Sequence, residues 1–73
     1  MENQFIDLLK EVLEVSELSL SDNFKELNEW DSLALLTLIA ELDEQYGVLI
    51  ESDELDKIQT VQELFDLVQN KKN

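Results

Sequence analysis

Cysteine, histidine, proline and arginine are absent from this chain of 73 residues, and glycine occurs once. Without cysteine there is no disulfide framework and no thiolate metal site, so nothing in the composition requires an oxidising compartment. Without histidine the chain lacks the commonest general base, and we expect it not to be an enzyme. The most apolar stretch, residues 33–40, is far shorter than the roughly 20 residues that a membrane span needs. The first residues also lack the basic start of a signal peptide, so we expect a cytoplasmic protein with one domain over residues 1–73.

Positive charge is scarce as well: five lysines face 18 acidic residues, which gives a formal net charge of −13. Nucleic acids and anionic membranes would repel such a chain, so both are excluded as partners. We expect a monomer whose protein partners carry basic patches. Residues 41–56 contain seven acids and no base. This segment fits either a solvated face that maintains solubility or part of a docking surface.

Apolar residues are plentiful, at 44% of the chain, and their spacing predicts an all-α fold. Residues 2–14 place their apolar side chains on one helical stripe, and residues 61–69 do the same. Thr60 and Glu63 match a capping box, in which each side chain accepts a hydrogen bond from the other residue's N–H, so the last helix should begin there. The prediction is a small up-and-down bundle of three main helices plus one short helix.

The connecting segments are polar and irregular. Residues 16–31 lack sustained periodicity, and we expect them to lie across the core with a short helical turn around residues 23–27. Residues 48–50 form an apolar link that has no obvious partner strand. Ser52 or Asp53 is expected to cap the short helix, which would end near residue 57.

The second main helix, predicted over residues 32–46 and ended by Gly47, has two apolar faces. Its broad face suits the core and contains Leu35, Leu38, Ile39, Leu42 and Tyr46. A second stripe lies on roughly the opposite side and contains Leu33, Leu36 and Ala40. Either Trp30 or Phe24 from the long loop covers this stripe, or it is exposed and serves as a docking surface.

The tripeptide Asp31-Ser32-Leu33 stands where the polar loop meets this helix. Serine and aspartate are common N-cap residues, and this alone would explain them. A serine hydroxyl at a helix N-terminus also lies near free N–H groups and the positive end of the helix dipole. A phosphate ester on Ser32 would therefore be stabilised there.

Taken together, the helix order, the long first loop, the acidity and an Asp-Ser-Leu at the start of the second helix resemble the acyl carrier proteins over the whole chain. The resemblance implies that Ser32 accepts a covalent 4′-phosphopantetheine arm from coenzyme A, next to Asp31. It also implies that the arm carries acyl groups as thioesters, which explains how a chain without cysteine could take part in acyl transfer. The expected partners are a phosphopantetheinyl transferase and the enzymes that load and transfer acyl groups. The residues expected to dock on their basic patches are Leu33, Leu36, Ala40, Glu41, Asp43, Glu44, Asp53 and Glu54.

Three positions depart from the pattern of the fatty-acid subgroup. Glu29 stands where the Gly-x-Asp-Ser-Leu string has glycine, and Ala34 and Thr37 replace acids of the second helix. These departures predict a carrier for a specialised biosynthetic pathway. Asp31 argues against a peptidyl carrier, in which histidine is common at this position.

Two other classes of protein compete with the carrier. A non-catalytic acidic helical adaptor, such as a nucleic-acid mimic, would bind its partner through the acidic surface and would not need Ser32. A calcium-responsive protein would use Asp53, Glu54 and Asp56, but the twelve-residue calcium loop with its central glycine is absent, so no specific metal site is predicted. Weak binding of divalent ions to residues 41–56 should still stabilise the fold modestly by relieving charge repulsion.

Overall fold

The computed structural model describes residues 2–72, and its regular elements are helices. The elements are helix α1 (Glu2–Leu13), a 3-10 turn (Phe24–Glu26), and helices α2 (Ser32–Tyr46), α3 (Ser52–Asp56) and α4 (Val61–Lys72). The predicted bundle of three main helices and one short helix is confirmed. Residues 48–50 are irregular, and within the described residues no helix is long and apolar enough to cross a membrane.

One hydrophobic cluster receives side chains from every helix and from the loops. Phe5 of α1 is fully buried and packs edge-on against Phe65 of α4, with ring centroids 5.2 Å apart. The ring of Tyr46, at the end of α2, has its centroid 6.1 Å from the centroid of the Phe5 ring. Burying a leucine or phenylalanine stabilises the fold by roughly 1.5–3 kcal/mol, so this cluster supplies most of the driving force. Its other fully buried large side chains are Leu9, Leu13, Phe24, Leu38, Leu42, Ile50, Leu55, Val61, Leu64 and Val68.

Helix α1 ends at Leu13, one residue earlier than predicted, because the next residue leaves the helical conformation. Glu14 has a φ of 58°, in the left-handed region that glycine usually occupies. The N–H of Val15 then donates to the carbonyl oxygen of Lys10 at 3.0 Å, which closes the helix end. The backbone therefore turns sharply toward the long loop at a residue that is not glycine.

The long loop is attached to the start of α4 by backbone hydrogen bonds. The N–H of Val61 donates to the carbonyl of Asp22 at 2.9 Å, and that of Gln62 donates to the carbonyl of Leu20 at 2.8 Å. Farther along the loop, Phe24 is buried, and Trp30 packs edge-on against it at 5.1 Å. The predictions of a loop lying across the core and of a helical turn near residues 23–27 are confirmed.

The predicted cap of α3 is wrong. Ser52 and Asp53 lie inside the first turn, and Glu51 is the capping residue. The N–H of Glu51 donates to Oε1 of Glu54 at 3.0 Å. A glutamate is a poor cap by composition, so the reciprocal partner three residues later is what marks this helix start.

Helix α4 begins as predicted and ends three residues later than expected. The N–H of Glu63 donates to Oγ1 of Thr60 at 3.2 Å, and the N–H of Thr60 donates to Oε1 of Glu63 at 3.0 Å, which confirms the capping box. The helix continues to Lys72 because its last turn has tertiary contacts. Nζ of Lys71 lies 2.9 Å from Oε2 of Glu54 in α3, and Nζ of Lys72 lies 5.4 Å from the centre of the Tyr46 ring.

Candidate functional site

Asp31 is the N-cap of α2. Its backbone is extended (φ −149°, ψ −174°), and its Oδ1 accepts a hydrogen bond from the N–H of Ala34 at 2.8 Å. The carbonyl of Asp31 accepts the first helical hydrogen bond, from the N–H of Leu35 at 2.9 Å. Since aspartate provides the cap, Ser32 is the first helical residue, and its hydroxyl is not needed to begin the helix.

The hydroxyl of Ser32 is exposed at the N-terminus of a helix of 15 residues. Among residues 2–72, neither this hydroxyl nor the backbone N–H groups of Ser32 and Leu33 have a hydrogen-bond partner. Beyond the capping carboxylate of Asp31, the first turn of α2 contains no acidic side chain that would offset the positive end of the helix dipole. The free N–H groups of Ser32 and Leu33, together with the positive end of the helix dipole, favour an anion bonded to this oxygen.

Beside Ser32, α2 exposes an apolar strip, which we call the α2 strip: Leu33, Leu36 and Ala40. Leu33 is 73% exposed and Leu36 is 62% exposed. Coverage of this strip by Trp30 or Phe24 is therefore wrong, because those rings pack on each other and on the core. Exposed leucines on one helix face are typical of a contact surface, and the docking role of the strip stays a prediction.

The acids predicted to dock occupy different environments. Asp43 and Glu44 are exposed and lie on either side of the α2 strip, at 100° per residue around the helix. Glu41 is half-buried and faces α1, in a depression shared with Leu8 and Thr37. Asp43 and Glu44 therefore lie at the α2 strip, whereas Glu41 lies beyond its edge.

In α3, Asp53 is exposed, whereas Glu54 has its carboxylate engaged within the fold. The hydrogen bond from the N–H of Glu51, followed by the contact with Lys71, lowers the pKa of Glu54 below its usual value. Both carboxylate oxygens of Glu54 therefore have partners in the free protein. Within the described residues, no group of three or more acids is arranged to hold a metal ion.

The sequence prediction omitted Leu49, which is 66% exposed between the buried residues Val48 and Ile50. Alternation of buried and exposed side chains is the signature of an extended segment, and it could have identified this residue. Leu49 is the third large apolar side chain that the structure exposes, after Leu33 and Leu36. It lies in the link beyond the C-terminus of α2 and, among the residues that the structure describes, is the one large exposed apolar residue outside that helix.

A profile of the family described as "Phosphopantetheine attachment site" matches residues 3–68. The chain belongs to this family. Among its relatives, a protein named acyl carrier protein from Rubrobacter xylanophilus is 45% identical over 53 residues, which cover 73% of this chain and 65% of that protein. Acyl carrier proteins from Thermosynechococcus vestitus and Petrotoga mobilis are 44% and 37% identical over 41 and 57 residues. Those two alignments cover 56% and 78% of this chain, and 51% and 67% of the relatives. The chain thus spans about half to two thirds of the length of these relatives.

The fold agrees with the family. The solution structure of a holo acyl carrier protein from Geobacter metallireducens superposes with a TM-score of 0.78 and 27% identity, covering 94% of this chain and 82% of that one. The prosthetic group of this family is 4′-phosphopantetheine. The start of α2 fits that group, because it combines an exposed hydroxyl at Ser32 with unpaired N–H groups at Ser32 and Leu33.

Proposed function

We propose that this carrier holds acyl groups as thioesters on a 4′-phosphopantetheine arm attached to Oγ of Ser32, in a specialised biosynthetic pathway. The observation that supports the attachment point is the exposed hydroxyl at the first residue of α2, with free backbone donors around it. A phosphodiester there keeps one negative charge at the positive end of the helix dipole.

Attachment is a phosphoryl transfer from coenzyme A that a partner transferase catalyses. Oγ of Ser32 attacks the phosphorus that bears the pantetheine, and a new P–O bond forms. The P–O bond within the pyrophosphate breaks, adenosine 3′,5′-bisphosphate leaves, and the hydroxyl proton is released. The thiol of the arm then supplies the nucleophile that a chain without cysteine lacks, so this chain need not catalyse any step itself.

The α2 strip and the acids around it form the surface on which partner enzymes dock. Leu33 and Leu36 offer apolar contacts beside Ser32, while Asp43 and Glu44 offer charge at the edges of the strip. Partners are a phosphopantetheinyl transferase and enzymes that load and transfer acyl groups, each with a basic patch. The absence of cysteine and the charge of −13 fit a cytoplasmic monomer.

Two of the three departures from the fatty-acid pattern support a specialised pathway. Position 34 is 7% exposed, so the alanine itself contributes little to the surface that a partner contacts. Glu29 is exposed before the site, and Thr37 places a neutral side chain beside Leu33. These two residues change the charge that a partner meets near Ser32.

The attachment point is tested with coenzyme A, a broad-specificity phosphopantetheinyl transferase and intact-mass spectrometry. Wild type should gain the mass of one arm, and Ser32→Ala should gain none. Ser52→Ala is the matched control, because Ser52 is also an exposed serine at the first residue of a helix. Modification of Ser32→Ala, or an unmodified wild type with several transferases, would overturn the proposal and favour the acidic adaptor.

A further inference from the structure

A groove runs between α1 and α2, on the side of α2 next to the α2 strip. Three depressions of about 400, 210 and 360 Å³ follow one another along it, and all three include Glu11. The groove extends from Gln4 and Tyr46 at one end to Glu14 and Leu33 at the other. At 1.5 Å per residue, the part of α1 that lines it is ~15 Å long.

The floor of this groove is partly apolar and its rims are acidic. Leu8 and Val12 of α1 are half-buried in the floor, opposite Thr37 of α2. Carboxylates line the groove from both helices and from the loop: Asp7, Glu11, Glu14, Glu29, Asp31 and Glu41. Within the described part of the chain, no lysine lines the groove, and of its six acids Asp7 has Nζ of Lys10 at 3.9 Å, so the rims carry a net negative charge.

We propose that the α1–α2 groove binds a basic amphipathic α-helix of a protein partner. Charge complementarity selects Lys and Arg for the flanks of that helix, and the apolar floor selects aliphatic residues for its centre. A helix is favoured over an extended peptide because the backbone groups of α1 and α2 are already paired along their lengths and cannot extend a sheet. The length of the groove matches about three turns.

Ser32 does not line the groove, although its neighbours Asp31 and Leu33 form one end of it. Ser32 and Thr37 are five residues apart, which places them about 140° from each other around the axis of α2. A helix bound in the groove would leave the hydroxyl of Ser32 accessible. The surface would therefore anchor one partner while the arm visits another, and this inference does not depend on whether Ser32 is modified.

The test uses the full chain and a synthetic helical peptide of 12 residues, stapled and built from lysine and leucine at helical spacing. A peptide of the same composition in scrambled order is the control probe. Binding is measured by fluorescence anisotropy of the labelled peptide and mapped by chemical-shift changes of backbone amides. The amides of Leu8, Glu11 and Thr37 should shift, the scrambled peptide should bind more weakly, and Ser32→Ala should bind like wild type.

Matched variants locate the binding surface. Glu11→Gln with Glu41→Gln should weaken binding roughly three- to tenfold, since two rim charges are lost. Glu17→Gln with Glu26→Gln removes the same charge from exposed positions outside the groove and should change affinity less than about twofold. If both double variants lost peptide affinity equally, the attraction would be unspecific and the proposal would be overturned. An equal loss in Leu36→Ser would place the peptide on the α2 strip and would also overturn it.

Discussion

Replacing Asp31 by alanine removes the acceptor that holds the N–H of Ala34 at 2.8 Å and leaves the start of α2 without a cap. Loss of an N-cap side chain costs about 1 kcal/mol of the free energy of unfolding, within a range of about 0.5–2. Removing the negative charge from the positive end of the helix dipole adds to this cost. For a domain of this size, an unfolding entropy near 2.1 cal/mol/K per residue converts about 1 kcal/mol into a fall in Tm of about 6 °C.

Asp31→Asn removes the negative charge but keeps the cap, because the amide oxygen can still accept the hydrogen bond from the N–H of Ala34. Asparagine and aspartate cap helices about equally well, so this variant should lose much less than Asp31→Ala. Thermal unfolding followed by circular dichroism at neutral pH measures both variants against wild type. Equal losses would show that charge, and not capping, stabilises the helix start. A loss below about 2 °C for Asp31→Ala would refute the capping argument altogether.

Other predictions concern the core, the loop and acid pH. Leu38 is fully buried, so Leu38→Ala should lose about 2–5 kcal/mol of unfolding free energy in chemical denaturation. Leu36 on the same helix is 62% exposed, so Leu36→Ala should change the unfolding free energy by no more than about 0.5 kcal/mol. Glu14→Gly should raise stability by up to about 1 kcal/mol, since it relieves a left-handed residue and removes an acid from a helix C-terminus; a lower Tm would contradict this. Hydrogen bonds from the N–H groups of Thr60 and Gln59 lower the pKa of Glu63, so its stabilising effect is present above its unfolded pKa and is lost as pH falls through its folded pKa. The difference in Tm between wild type and Glu63→Ala should therefore shrink below about pH 4, and a constant difference would exclude this linkage.

Local patterns predicted the parts of the fold that depend on neighbouring residues. The apolar spacing of α1, the capping box at Thr60 and the single glycine after Tyr46 act within one or two helical turns, and each appears in the structure where it was expected. Gly47 has a φ of 67°, the conformation that a helix end requires and that glycine adopts without strain.

Boundaries that depend on distant residues could not be predicted in this way. Helix α4 reaches Lys72 because Lys71 meets Glu54, which lies in another helix. Glu14 occupies a conformation that no local signal indicates, because the turn toward the loop is required by packing elsewhere. The cap of α3 was missed since Glu51 acts only together with Glu54.

At the proposed attachment point, the amino-acid sequence by itself determined that a serine follows an aspartate at the start of an amphipathic helix, and that the chain has no thiol of its own. The structure shows that Asp31 and not Ser32 caps that helix, through a local hydrogen bond that leaves the hydroxyl of Ser32 free. The tertiary structure decided that Leu33 and Leu36 face outward while Ala34 and Leu38 are buried. The physical reason is that periodicity defines faces of a helix, but only packing against α1 and the loop decides which apolar face is covered.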